Sequence, residues 1–195
     1  MFAFVRRKLC RSKSEHGPIR YAEPGPPEQN GERLLELVTQ DFQPVRERTR
    51  EQCEAFGRFM SAVLLLERKL SRLLGGFDPA VEERTFGRKI EAYKAFLRAV
   101  DWDLIELDVG DYRALIAPLK QIKDVRDAMA HDLRKVTFAD AEFSQVVGYV
   151  RAKRPDLART FAESADEQAR CLGATITFGF VFSEELARLQ LRIAQ

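Results

Sequence analysis

The chain has 195 residues, of which 45% are hydrophobic and 32% are charged, and its formal net charge is +2. These values are typical of a soluble globular protein with one well-buried domain. The small net charge gives no argument for or against a nucleic-acid partner. No apolar run approaches the ~20 residues that a membrane-spanning helix needs, so we expect no membrane insertion.

Cysteine and histidine are too few and too scattered for disulfide or metal chemistry. Cys10, Cys53 and Cys171 lie far apart, and the chain has only two histidines. Without a CxxC spacing, neither a disulfide scaffold nor a Cys/His zinc site is expected. We therefore expect no metal, no cofactor, and a reducing, cytoplasmic compartment.

The first 30 residues are basic and rich in residues that break helices. Residues 1–20 hold six basic side chains and one acidic one, and residues 22–31 (AEPGPPEQNG) hold three prolines and two glycines. Such a stretch sustains neither a helix nor a sheet ladder, so residues 1–30 are predicted to be a basic, disordered arm. It is either a solvated tail or an arm that binds nucleic acid or an anionic membrane.

Apolar residues then recur at helical spacing. The first seam extends over residues 53–74 in steps of three and four, which predicts a long amphipathic helix. Gly75-Gly76 is expected to end this helix in the left-handed conformation, and Asp78-Pro79 to open the next element. A second seam from Phe86 to Val100 predicts another helix.

A third seam extends from Tyr112 to Val136 and keeps its phase through Pro118. This pattern predicts a single helix that is kinked at the proline. Further helices are predicted over residues 139–152 and 156–172, separated at Pro155.

The C-terminal stretch ATITFGFVF (residues 174–182) has the β-branched and aromatic residues of a strand but no partner strand elsewhere. We predict a helix there too, followed by a helix that Ser183 caps. The predicted fold class is all-α. It consists of a helical bundle over residues 31–153 with long antiparallel helices, and a C-terminal helical extension over residues 154–195.

The only histidine of the predicted folded region, His131, lies in the helix that the third seam predicts. On a helical wheel, His131 falls about 180° and Asp127 about 140° from the buried position Ile122, so both are expected to face outward. Asp127 precedes His131 by one turn and is expected to orient its imidazole. Arg126 lies at the edge of the buried stripe, and the small residues Ala128 and Ala130 leave room for a second backbone.

This set of side chains fits phosphodiester cleavage without a metal. The reaction needs a proton carrier and a fixed cation that stabilises the charge on phosphate, for which the planar guanidinium of arginine is suited. One histidine and one arginine are few for a complete site. A two-fold dimer through this face would bring two copies of both into one cleft.

The segment Arg126-Asp127-Ala128-Met129-Ala130-His131 resembles the Arg-x4-His motif of HEPN domains (higher eukaryotes and prokaryotes nucleotide-binding). Upstream, Phe86-Gly87-Arg88-Lys89-Ile90 is similar to the preceding helix of mannitol-repressor-like HEPN proteins. The resemblance spans roughly residues 50–150. The chain departs from the family in having Asp127 where asparagine is common.

The resemblance implies a helical bundle that forms a homodimer through the Arg126/His131 face. Many such domains are metal-independent endoribonucleases, often toxins or defence effectors, and some have an antitoxin or regulatory partner. By position, Arg126 would stabilise the RNA phosphate, His131 would shuttle the proton and Asp127 would position them. Other members are inactive, so a non-catalytic regulator or adaptor that binds a partner protein or a nucleotide is the alternative.

Glu67 occupies a seam position that is otherwise apolar. A carboxylate in such a seam is unfavourable unless it is paired, and Lys89 or Arg126 is a candidate partner. The interpretation that we prefer is simpler: helical drift places Leu66 in the core and Glu67 at its edge.

Overall fold

The computed structural model describes residues 36, 43–44, 47–132, 134–135 and 137–194. The regular secondary structure of these residues is helical, without a strand, which confirms the predicted all-α fold. None of the helices described is long and apolar enough to cross a membrane. The chain divides into two compact units, residues 1–42 and 43–195, and every helix named below belongs to the second. The predicted arm over residues 1–30 lies outside the described residues.

Helix α1 (Arg50–Leu74) begins at a capping box. Thr49 Oγ1 accepts a hydrogen bond from the Gln52 amide at 3.2 Å, and Gln52 Oε1 accepts one from the Thr49 amide at 2.9 Å. Two amides that have no partner within the helix are thereby satisfied.

The largest buried side chains of α1 are Phe59, Leu66, Leu70 and Leu74. The first predicted seam is buried only from Val63 onward, because Cys53 is exposed and Phe56 and Met60 are half-buried.

The end of α1 is where the sequence predicts it, but the predicted conformation is wrong. Gly75 has φ −57°, which is right-handed. The amides of Phe77 and Asp78 both donate to the Leu74 carbonyl, at 2.9 and 2.7 Å, so a turn satisfies the helix end without a left-handed glycine. A 3-10 helix (Pro79–Glu83) follows and has proline at its first position, as predicted.

Helix α2 (Phe86–Ala99) follows the second seam, and Val100 lies just beyond its end. The seam residues within the helix are all buried, which confirms the prediction. The short helix α3 (Trp102–Ile105) comes next, and its Trp102 indole donates to the Leu97 carbonyl at 2.8 Å. This hydrogen bond holds α3 against the last turn of α2.

The prediction of one kinked helix along the third seam is wrong. The seam is divided between α4 (Val109–Arg113) and α5 (Ile116–His131), with a turn at residues 114–115. Pro118 is the third residue of α5, where a backbone amide would have no partner within the helix, so proline costs no hydrogen bond and causes no break. The helix also ends at His131, before the predicted end of the seam at Val136.

The segment predicted to be helical over residues 139–152 is a 3-10 helix (Asp140–Phe143) followed by α6 (Ser144–Lys153). Helix α7 (Pro155–Ala162) begins directly at its proline, so Pro155 separates the two helices as predicted. The helix predicted over residues 156–172, however, is interrupted after α7.

The interruption occurs because Asp166 caps a new helix, α8 (Glu167–Ile193), by accepting a hydrogen bond from the Gln168 amide at 3.0 Å. Helix α8 contains the whole stretch ATITFGFVF, which confirms the helical prediction. The prediction that Ser183 is an N-cap is wrong. Its hydroxyl lies inside α8 and donates to the Gly179 carbonyl, one turn earlier, at 2.8 Å.

Helices α1 and α8 are parallel neighbours. Their first turns line one surface depression together, and their last turns line another. α8 also packs against α6 and α7, while α5 packs mainly against α2 and α6. The domain boundary predicted between residues 153 and 154 stays a prediction, and the helices on both sides of it contribute side chains to one hydrophobic core.

Candidate active site on helix α5

The outward face of α5 carries the three residues that the sequence predicts as a site. Leu119, Ile122, Val125 and Met129 are buried and fix the orientation of the helix. Its opposite side is therefore left in solvent. Asp127 and Arg126 are half-buried, and His131, the last residue of the helix, is exposed. The prediction that this histidine lies outside the core is confirmed.

The carboxylate of Asp127 holds two cations. Its Oδ1 lies 2.8 Å from Arg126 Nη1, and its Oδ2 lies 2.9 Å from Lys123 Nζ. Burial raises the pKa of Asp127, but the hydrogen bonds from Lys123 and then Arg126 outweigh it, so the pKa lies below its usual value. Asp127 is therefore ionised at neutral pH.

The expected contact between Asp127 and His131 is not formed. No hydrogen bond or ion pair of the described residues joins them, because Lys123, one turn before Asp127, and the neighbouring Arg126 already occupy both carboxylate oxygens. Asp127 thus positions the guanidinium of Arg126 and not the imidazole. The structure brings Arg126 and Asp127 into contact and leaves His131 separate.

Lys123 is the member of the site that the sequence analysis missed. Its ammonium group contacts Asp124 at 3.0 Å and Asp127 at 2.9 Å. Both carboxylates hold the pKa of Lys123 above its usual value through hydrogen bonds, that from Asp127 being the stronger. A Cβ added at Gly87 of α2 would lie 3.0 Å from Lys123 Cε, so glycine there allows the lysine to lie across α2. The four-residue spacing of Lys123 and Asp127 could have predicted this contact from the sequence.

A small depression of about 280 Å³ adjoins this cluster, between the start of α2 and the middle of α5. It is lined by Gly87, Glu91, Lys120 and Lys123, among others. The nearby ammonium group of Lys94 lowers the pKa of Lys120, because two like charges disfavour each other. Lys120, Lys123 and Arg126 follow one another at three-residue steps, so α5 presents three cations near the depression.

Glu67 is paired with Lys89 and not with Arg126. Lys89 Nζ lies 3.0 Å from Glu67 Oε1, and the lysine side chain is only 7% exposed against 18% for the glutamate. Leu66 is fully buried, as the preferred interpretation expected, and Glu67 lies at the edge of the core. The pair joins α1 to α2 beneath the surface and takes no part in the α5 cluster.

No group of three or more histidine, cysteine or acidic side chains that could hold a metal ion occurs among the residues described. Comparisons of the chain with models of protein families, with curated proteins and with solved structures found no match.

Proposed function

We propose that the protein is a HEPN-like, metal-independent endoribonuclease, of the toxin or defence type, that acts as a homodimer through the outward face of α5. The observation that carries the proposal is that Arg126 and His131 both reach solvent on the last two turns of one helix. Ala130 between them is exposed and Ala128 half-buried, so a second copy of the helix can approach closely.

The proposed reaction is the attack of a ribose 2′-hydroxyl on the adjacent phosphorus. The imidazole of His131 accepts the proton of the 2′-hydroxyl, and the second His131 of the dimer donates one to the departing 5′-oxygen. The products are a 2′,3′-cyclic phosphate and a free 5′-hydroxyl, so the proton balance is complete.

Arg126 stabilises the charge that develops on the phosphate oxygens. A guanidinium group has five N–H donors, and Asp127 takes only one of them in its contact with Arg126 Nη1, so donors remain for a phosphate. Lys123 and Lys120 extend the cationic surface along α5 toward neighbouring phosphates.

The test is cleavage of a mixed-sequence single-stranded RNA by the purified full chain in the presence of EDTA. We expect cleavage of this RNA but not of the matching DNA, which lacks the 2′-hydroxyl. His131→Ala and Arg126→Ala should each reduce the rate about 100-fold or more, with unchanged circular dichroism.

His16→Ala and Arg159→Ala are matched controls, since they remove the same groups elsewhere in the chain, and both should cleave like the wild type. Cleavage by His131→Ala at the wild-type rate contradicts the proposal. So does RNA that stays intact with the wild-type protein.

The alternative is a non-catalytic regulator or adaptor that binds a partner protein or a nucleotide through the same face. The observation that favours it is the engagement of Asp127 with Lys123 and Arg126, which leaves His131 without an acidic partner among the described residues. In that case RNA stays intact with and without divalent metal, while the protein still dimerises or binds its partner.

A further inference from the structure

A large apolar groove lies between the parallel helices α1 and α8, and the proposed nuclease mechanism does not use it. It encloses about 920 Å³. Leu65 of α1 and Ile176 and Phe180 of α8 line it, and all three are exposed, Phe180 to 65%. Contiguous large apolar side chains that remain in water mark a surface that contacts another molecule.

Two glycines keep this groove open. A Cβ added at Gly57 of α1 or Gly179 of α8 would meet no atom within 4 Å, so packing within the chain requires glycine at neither position. Gly173 is different, because a Cβ there would lie 2.6 Å from Phe161 Cβ. Glycine inside a helix is less favourable than alanine, so two glycines with open space around them fit a contact from outside the chain.

The charges on the groove face of α1 are separated along the helix. Glu51 and Glu54 lie in its first turns, whereas Lys69 and Arg72 lie in its last turns. Helical periodicity places all four on the side that carries Leu65.

Arg58 also lines the groove in the half that carries the two glutamates, and Arg50 of the same chain pairs with Glu54 at 3.0 Å. The groove face therefore has a net charge of about −1 at one end and about +2 at the other, and an antiparallel copy places these opposite net charges against each other.

We propose that this groove is a self-association surface, on which two copies of the chain pair about a two-fold axis that passes between Ser61 and Ala62. Rotation about this axis places Glu54 opposite Lys69 of the second copy, and Glu51 opposite Arg72 of the second copy. The paired face extends from Glu51 to Arg72, about 32 Å at 1.5 Å per residue, and is two helices wide.

The same axis places large side chains of α8 opposite small residues of α8 in the second copy. Gly179 lies near the middle of the stretch of α8 that lines the groove, from Ile176 to Ser183, so we place the crossing of the axis on α8 close to this residue. Phe180 of each copy then enters the hollow over Gly179 of the other copy, and Ile176 packs against Ser183. Phe180 and Ile176 are thereby covered by small residues of the second copy, whereas the same axis places Leu65 opposite Arg58 of the second copy.

This surface is distinct from the outward face of α5, which packs on its inner side against α2 and α6. Pairing through the groove goes beyond the proposed nuclease function, and it neither requires nor prevents a second contact through Arg126 and His131.

The first test is sedimentation equilibrium of the full chain and of two matched variants. We expect a wild-type dimer, and a dissociation constant that Phe180→Glu raises about 30-fold or more. Leu191→Glu makes the same change at a residue of α8 that is 68% exposed but does not line the groove, and it should leave the dimer unchanged. A chain that is monomeric up to ~100 µM overturns the proposal, as does a dimer that Phe180→Glu does not weaken.

A charge exchange tests the antiparallel register. Glu54→Lys should weaken the dimer, because it places a lysine opposite Lys69 of the second copy. Adding Lys69→Glu to the same chain restores opposite charges across the axis and should restore the dimer. A double variant that associates no better than Glu54→Lys alone overturns this register.

Crosslinking separates this proposal from the nuclease proposal. In a chain without Cys10 and Cys53, a short bismaleimide should link two copies of the Ser61→Cys variant but not of Ala152→Cys, an exposed position on α6. Linking through Ala130→Cys in place of Ser61→Cys assigns the dimer to α5, which supports the nuclease dimer and overturns the groove dimer. If two copies of Ser61→Cys are linked but the RNA stays intact, the groove dimer is supported and the nuclease proposal is contradicted.

Discussion

The outward face of α5 and the groove between α1 and α8 differ in how far the chain satisfies them by itself. On α5, Asp127 pairs with both Lys123 and Arg126, at 2.9 and 2.8 Å. In the groove, Phe180 and Leu65 are exposed beside glycines that leave open space. A polar face that pairs its own charges is stable in water, whereas an apolar face is stabilised by being covered.

The difference assigns different tasks to the two faces. Exposed, ordered charges suit the recognition of a phosphate, since they remain accessible and are already oriented. An open apolar groove suits the tight packing of another helix surface. Variants can change one of the two faces, or the contact between α1 and α2 that lies between them.

The largest expected effect on stability concerns the contact between α1, which forms the groove, and α2, which lies against α5. Glu67→Ala leaves the ammonium group of Lys89 without its carboxylate at a site where the lysine side chain is 7% exposed. We expect a loss of about 3 kcal/mol in the free energy of unfolding, measured by urea denaturation, because an unpaired buried charge is strongly destabilising.

Glu91→Ala is the matched control, since it removes a glutamate from an ion pair with Lys94 whose carboxylate is largely in solvent. It should cost far less than Glu67→Ala, because an exposed ion pair contributes little to stability. Replacing both partners of the buried pair, as Glu67→Leu with Lys89→Met, should recover most of the loss. Equal costs for Glu67→Ala and Glu91→Ala would show that the buried pair does not stabilise the bundle.

A smaller effect compares two glycines of α8. Gly173→Ala should destabilise the protein by about 1–3 kcal/mol, because its Cβ would lie 2.6 Å from that of Phe161. Gly179→Ala should stabilise it by up to about 1 kcal/mol, because its Cβ meets open space and alanine favours the helix.

Both glycine variants are best compared in the Phe180→Glu background, where self-association does not contribute to the melting curve. If Gly179→Ala loses as much stability as Gly173→Ala, the space beside Gly179 in the groove is not open.

The smallest effect concerns Asp127. Its pKa is lowered in the folded state, so it stabilises the fold above the pKa of an unfolded aspartate, about 3.9, and this contribution disappears as the pH falls through the lower, folded value. Asp127→Asn should cost about 0.5 kcal/mol at pH 7, given the partial exposure of the cluster. The difference from the wild type should shrink as the pH falls below about 3.9 and vanish below the folded-state pKa. A difference that grows on acidification would show that folding raises the pKa of Asp127 instead of lowering it.

The sequence predicted the helices where apolar spacing was continuous. It predicted the buried face of α2 along Phe86–Leu97, but that of α1 only from Val63 to Leu74, since Phe59 is buried where the seam had Cys53, Phe56 and Met60. It failed at helix ends, because capping depends on hydrogen bonds that spacing does not encode. Pro118 did not break or kink a helix since it falls in a first turn, and Ser183 did not begin one since its hydroxyl bonds within α8.

For the candidate site, the sequence predicted which residues face outward but not which residues pair. The helical wheel placed Asp127 and His131 on one side correctly, yet Lys123 competes for the same carboxylate at the same four-residue spacing. The groove was not predicted at all, because it requires α1 and α8, which are more than 90 residues apart along the chain, to pack side by side.

The buried thiol of Cys171 has a consequence for chemical labelling. Burial, and then the charge of Asp140 nearby, raise the pKa of this thiol to about 12. Since the thiolate is the reactive form, Cys171 stays inert toward alkylating dyes at neutral pH while the protein is folded. Of the two cysteines in the described part of the chain, the exposed Cys53 near the start of α1 is therefore the one that accepts a fluorophore.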